Sequence, residues 1–214
     1  MEFQVDYNNM TYRYVEGHYC AGALSDGVVN HFVEMQIDGI PVEQLGFSSF
    51  GIAGNIYDED ILRLYTPGSI KKICGGYVGC AIKNLEVFYC GETRDVAYIC
   101  NYQQFHHYKI YGPAERAEDF QALWTIEDQS VYKANVSYRL NADELPEYYY
   151  VDWVEYGEVI ENVPPEPTMY GYEFGGWYTE SDCINQWNFA NAVPQPNEGE
   201  DFKELCLYAA WIKK

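Results

Sequence analysis

Positive charge is scarce in this sequence: 13 Lys and Arg stand against 33 Asp and Glu in 214 residues, a formal net charge of -20 at pH 7. A field of that sign repels phosphate backbones and anionic lipid, because both are held by basic side chains that displace counterions. Nucleic acid is therefore excluded as an expected partner. Long apolar runs are missing too, and Met1 to Tyr14 is polar and acidic without the apolar centre of a signal peptide. Neither membrane insertion nor an export signal is expected from the chain as it stands. Paired cysteine motifs are absent as well. Cys20, Cys74, Cys80, Cys90, Cys100, Cys183 and Cys206 include no Cys-x-x-Cys, which excludes a zinc ribbon or a thioredoxin-type site, and their odd number leaves at least one unpaired in a monomer. Buried thiols with few or no disulfides are the expectation.

Catalytic constellations are equally lacking. The four histidines are His18, His31, His106 and His107, and the pair at 106–107, with Cys100 upstream, has no second ligand pair beside it. No metal and no cofactor are expected. A nucleophilic cysteine needs a neighbouring base and an electropositive setting. Cys90 falls instead on an inward-facing position, and Cys183 and Cys206 lie among aromatics. Asp58-Glu59-Asp60 lacks the alternating oxygen ligands and the glycine of a calcium loop, so it reads as a solvated loop. The expected protein is not an enzyme.

What is present is aromatic: 17% of the chain, with 22 tyrosines. That exceeds what one core needs, so some rings are expected at the surface, where they suit protein or sugar contacts. Residues 10 to 24 form two β-rich runs around Glu16-Gly17, which predicts a hairpin. Beyond it, apolar residues recur at i, i+3 and i+5 in four segments: Phe32/Met35/Ile37, Ile61/Leu64/Thr66, Leu85/Phe88/Cys90 and Phe105/Tyr108/Ile110. These begin at intervals of 29, 24 and 20 residues. A second rib, at i and i+3, is Val42/Leu45, Ile70/Ile73 and Val96/Ile99. Two inward ribs per turn describe a coil that buries its interior against its neighbours. With Pro67-Gly68-Ser69-Ile70-Lys71-Lys72-Ile73, Gly79-Cys80 and Asn84-Leu85, residues 25 to 113 resemble the BspA-like leucine-rich repeat. After Gly112-Pro113, Ala117, Phe120, Leu123 and Trp124 recur at helical spacing and predict a short capping helix, with residues 129–134 as the link onward.

The last third alternates again at Val136/Tyr138/Leu140 and at Leu205/Leu207/Ala209/Trp211, around a β-rich run from Tyr148 to Val159 and spaced prolines at 164, 165 and 167. Between them come Gly171-Tyr172-Glu173-Phe174-Gly175-Gly176-Trp177-Tyr178 and the pair Trp187 and Phe189. This order of positions resembles the Listeria-Bacteroides repeat, also called the internalin-type B repeat, and the likeness covers residues 135 to 212. It implies a small β-grasp-like fold with a short helical crossing. Gly171, Gly175 and Gly176, with Trp177, Trp187 and Trp211 as the bulk that fills a small core, mark the stretch as a folding core rather than a binding box.

The expected fold class is mainly β with few short helices. A short, irregular leucine-rich-repeat solenoid with caps is expected over residues 1–134, followed by a β-grasp-like domain over residues 135–214. In an L-x-x-L-x-L strand the intervening side chains line an exposed face. Here they are Glu34, Gln36, Arg63, Tyr65, Val87, Tyr89, His107 and Lys109, the candidate partner-binding face. A second candidate is Tyr148, Tyr149, Tyr150 and Trp153, with alternation burying about half of it. The families resembled are frequent in bacterial surface proteins. They imply an interaction or adhesion protein at the cell surface or secreted, binding a protein, with the β-grasp repeat as spacer. The alternative is a glycan-binding module that uses exposed Tyr and Trp rings.

Overall fold

The computed structural model describes residues 3–25, 27–46, 60–73, 84–91, 95–96, 107–123 and 131–214. An antiparallel meander opens it: β1 (Phe3–Tyr7), β2 (Met10–Val15) and β3 (His18–Leu24). Its two-residue turns are Asn8-Asn9 and Glu16-Gly17, with all four residues at positive φ, the backbone that matches a tight turn to the strand twist. The chain then shuttles between two sheets. Sheet one receives β6 (Ile40–Leu45), with its short hairpin partner β5 (Gln36–Ile37), then β8 (Lys72–Ile73) and β10 (Asp95–Val96). Sheet two receives β4 (Asn30–Phe32), β7 (Leu62–Thr66), β9 (Asn84–Tyr89), β11 (His107–Gly112) and, after the helix α1 (Ala117–Leu123), β12 (Val131–Lys133). From β3 onward the first sheet adds its strands in parallel, apart from the antiparallel β5, as does the whole of the second. The described residues are almost all β, with α1 the one α-helix among them.

One core lies between these two sheets and takes in Tyr12, Val42, Leu45, Leu64, Ile70, Ile73, Val87 and Ile110. Strand pairing corrects the expected register. Phe32 lies beside Tyr65, Tyr65 beside Phe88, and Phe88 beside Tyr111, so the repeat advances by 33, 23 and 23 residues. Leu85 aligns with Leu62 and Tyr108, not with Ile61 and Phe105. In the other rib Leu45 pairs Ile73 as its spacing implies, but Val96 also pairs Ile73. The cause is burial of both faces of sheet two. Leu62, Leu64, Leu85, Val87 and Tyr89 alternate inward, while Tyr65 and Phe88 on the opposite face are buried as well. A strand covered on both sides is apolar at nearly every position, so i+3 matches jump from one face to the other. Phe105, Ile99, Trp124, His106, Asp58, Glu59, Cys74, Cys80 and Cys100 lie outside the described residues.

The third sheet is built by β13 (Val136–Arg139), β14 (Tyr148–Asp152), β15 (Tyr172–Tyr178) and β16 (Leu205–Lys213), in the order β14-β13-β16-β15. Its first and last strands run parallel at the centre and antiparallel strands flank them. No helix crosses it: residues 153–171 are irregular, as Pro164, Pro165 and Pro167 require, and this corrects the helical crossing that the resemblance implied. In β15, Phe174 faces Trp211 and Trp177 faces Ala209, one residue more on β15 than on β16. This bulge at Gly175-Gly176, with Gly176 at φ +105°, turns Phe174 and Trp177 to the same side. Both then pack in the core, 5.2 Å apart edge to face, with Tyr138 5.0 Å from Trp177.

Only Ala134 and Asn135 separate β12 from β13, and both are buried. The Asn135 side chain accepts from the Val154 amide at 2.9 Å and donates to the Val154 carbonyl at 2.7 Å. The second hydrophobic cluster therefore runs through the joint, from Met35, Tyr65, Phe88, Cys90 and Tyr111 to Tyr138, Tyr150 and Trp177. At Gly68 the backbones come so close that a Cβ would meet the Tyr148 carbonyl.

Candidate functional site

Parallel register places equal positions of successive coils side by side, about 4.8 Å apart. On the outer face of sheet two this stacks Phe32 on Tyr65 at 4.2 Å, Tyr65 on Phe88 at 4.5 Å and Phe88 on Tyr111 at 4.9 Å, all within 12° of parallel. Strand β14 lies across this ladder. The Tyr150 ring meets Phe32 edge-on and its hydroxyl donates to the Val33 carbonyl at 2.6 Å. The Tyr65 hydroxyl donates to Asp152 Oδ1 at 3.2 Å, and Trp153 stacks on Tyr111 at 6.1 Å.

Two residues along, on the same face, runs a row of charged groups in which Arg63, His107 and Lys109 are half-buried and Glu86 is buried. Arg63, Glu86 and Lys109 occupy matching positions on adjacent strands. Arg63 Nε donates to Glu86 Oε2 at 3.1 Å, and His107 Nε2 lies 3.0 Å from Glu86 Oε1. Lys109 extends its ammonium over the exposed Tyr132 ring, 5.8 Å from the centroid. Arg63 and His107 thus hold one buried carboxylate, with Lys109 on the neighbouring strand, in a strongly acidic protein.

Of the expected face, Arg63, His107 and Lys109 form this row. Tyr65, Val87 and Tyr89 are buried, which corrects their expected exposure: Val87 and Tyr89 point into the first core, and Tyr65 is a rung of the covered ladder. Glu34 and Gln36 are half-buried away from the row. Glu34 accepts from Asn8 Nδ2, and burial, the largest cause, raises its carboxyl pKa. Gln36 donates to Thr168 Oγ1 at 2.6 Å, across the joint. The second candidate patch is corrected more fully. Tyr148, Tyr149 and Tyr150 are all buried because β14 is covered on both faces, which leaves Trp153 half-exposed. Tyr148 lies between two guanidinium groups, with Arg116 at 4.8 Å and Arg139 at 4.7 Å from its ring. Glu147 accepts from both arginines, at 2.6 and 2.8 Å. Sequence reasoning missed Glu86 and Tyr132. The 23-residue recurrence of Arg63, Glu86 and Lys109 was the signal available for Glu86.

Chemically the face offers charge and rings. Burial lifts the pKa of the Cys90 thiol, which donates to the Thr66 and Tyr149 carbonyls, and it likewise raises Cys183 and Cys206. A nucleophilic thiol needs the opposite shift. Among the described residues no group of three or more His, Cys, Asp or Glu is placed to hold a metal ion. No helix of the described residues is long and apolar enough to cross a membrane.

The third sheet, with parallel central strands and an aromatic core around a diglycine bulge, is a compact β module joined to a coiled two-sheet body. Comparison with known families gives it a kind: residues 120–198 match the model of the Listeria-Bacteroides repeat domain. That domain is a non-catalytic repeat of bacterial surface proteins, often associated with adhesion. The match ends before β16, which completes the sheet, and nothing in the comparisons supports a leucine-rich-repeat family for the first part. No curated protein and no solved structure matches the chain.

Proposed function

We propose that this chain is a non-enzymatic bacterial adhesion or interaction protein, acting at the cell surface or secreted. In this reading the two-sheet coil, a degenerate relative of leucine-rich repeats, binds a protein partner through Arg63, Glu86, His107 and Lys109. The repeat of residues 120–198 serves as a rigid spacer that buttresses the coil. The match to the Listeria-Bacteroides repeat domain carries the reading. Support for the face comes from the concentration of positive charge there in a chain of net charge -20, because a basic patch in an acidic field discriminates sharply between partners.

One observation favours a glycan instead. Tyr132 is 46% exposed under the Lys109 ammonium, and the half-exposed Trp153 flanks the same Tyr111 rung. Rings of this kind suit sugar stacking, with the Lys109 ammonium at hand for hydroxyls. Immobilised surface proteins and a glycan array, probed with the purified chain, separate the two readings. Protein capture that falls at least tenfold in the Arg63→Glu, Lys109→Glu double variant, with the fold intact by circular dichroism, supports protein binding. Retention on glycans alone, abolished by Tyr132→Ala, supports the second reading. Cell fractions that place the native protein solely in the cytosol would remove adhesion.

A further inference from the structure

Among the described residues strand β1 has an unpaired edge and a face covered only in part, where Val5 packs against the first core. Its residues Phe3, Val5 and Tyr7 stand opposite Tyr14, Tyr12 and Met10 of β2, so they lie on the core side of the first sheet. Met10 and Tyr12 are buried there, yet Phe3 is 55% and Tyr7 48% exposed. Toward this edge the first sheet ends in β3, β2 and β1, and the second sheet ends at β4. Gln4 and Asp6 alternate onto the other face. Among the described residues β1 pairs with β2 alone, and its outer row of backbone N–H and C=O groups is open. Edges are usually blunted by lysine, proline or a bulge; Phe-Gln-Val-Asp-Tyr has none of the three, only Asp6.

We propose that β1 pairs edge to edge with β1 of a second copy of this chain, antiparallel about a two-fold axis through Val5. An axis perpendicular to the sheet keeps the core-side faces of both copies together only if it passes through a residue. Centred on Val5, all five residues of β1 are paired. Phe3 of each copy meets Tyr7 of the other, Gln4 meets Asp6, and Val5 meets itself. The rings pair with rings and the amide donates to the carboxylate. Centring on Asp6 would oppose two carboxylates and lose two residues of pairing, and centring on Gln4 would leave Tyr7 without a partner. The sequence of β1 is thus complementary to itself in one register. A strand pair of this size buries well under the roughly 1,200 Å² of a stable interface, so the dimer is weak, with a dissociation constant of about micromolar or above. Two copies of a chain of net charge -20 repel each other. Added salt therefore strengthens this dimer, the reverse of its effect on a contact between opposite charges.

Sedimentation velocity on the intact chain from about 10 to 500 µM, at low and moderate salt, reads the dimer directly. The expected result is a concentration-dependent dimer that grows with salt and is lost in Val5→Lys, which sets two ammonium groups face to face. Val5→Cys provides a second readout that does not depend on disrupting the strand. Mild oxidation should join two Val5→Cys copies, while Gln4→Cys and Asp6→Cys cross-link only when mixed with each other, and the unaltered chain stays unlinked. A monomer throughout the range, a Val5→Lys dimer as strong as the original, or equal self-linking at all three positions would each overturn the pairing.

Discussion

Asp152 is a carboxyl buried in the joint, 3% exposed, and its hydrogen bonds come from the Tyr65 hydroxyl and the Trp153 amide. Burial is the largest influence on it and lifts its pKa from 3.8 to about 7, with Glu86 pushing the same way. The Trp153 amide, the Tyr65 hydroxyl and the Arg63 charge pull it back in part. Tyr138 on β13 also faces it. A carboxyl raised in the fold holds its proton more tightly when folded than when unfolded. The contribution is therefore complete below about pH 4, declines as pH rises, and is gone above about pH 7. Asp152→Asn keeps both hydrogen bonds without ionising. Urea titrations at pH 4.5 and 7.5 should show the original chain losing stability relative to the variant, by up to about 3 kcal/mol. Equal slopes with pH in the two proteins would contradict the assignment.

At the scale of elements, the ladder on sheet two contributes most per side chain. Removing the Phe88 ring leaves a gap between Tyr65 and Tyr111 under β14, and Phe88→Ala is expected to cost about 3–5 kcal/mol. Tyr132→Ala, at the open end, should cost under about 1 kcal/mol. Thermal unfolding of both variants checks the contrast. Much of this architecture was legible in the residues. Glu16-Gly17 marked its hairpin, Val136/Tyr138/Leu140 and Leu205/Leu207/Ala209 marked two strands by their alternation, and Ala117 with Phe120 marked the short helix. The register of the coil was not legible from its apolar residues, because sheet two is covered on both faces and i+3 matches cross from one face to the other; the polar Arg63, Glu86 and Lys109, each 23 residues from the next, carried it. For the same reason Tyr65 and Tyr148 to Tyr150, expected at a surface, are interior: their cover is supplied by residues about a hundred positions away or by the far side of the joint. Of the candidate face, Arg63, His107 and Lys109 were placed side by side from the sequence, but Glu34 was not and Glu86 was missed, and the tyrosines were misplaced because a tyrosine suits a wet edge and a dry stack equally well.

For the whole molecule, the decisive feature is that Ala134-Asn135 joins two bodies over one shared core. The repeat resemblance alone implies a unit that unfolds by itself over residues 135–212. A cluster running from Tyr65 and Phe88 to Trp177 implies that the two parts melt together. Trp177→Ala should lower stability by about 3–5 kcal/mol and leave a single transition, with the coil and the repeat losing structure at the same temperature. Separate transitions, with the coil melting where it did before, would refute the coupling. The same joint makes the protein its own optical gauge. Trp153 lies on Tyr111 at the end of a row of alternating phenylalanine and tyrosine rings, so energy absorbed along that row has a nearby indole to reach, and its emission and near-ultraviolet dichroism follow the seating of one body on the other. No dye and no tag is needed to watch the seam open.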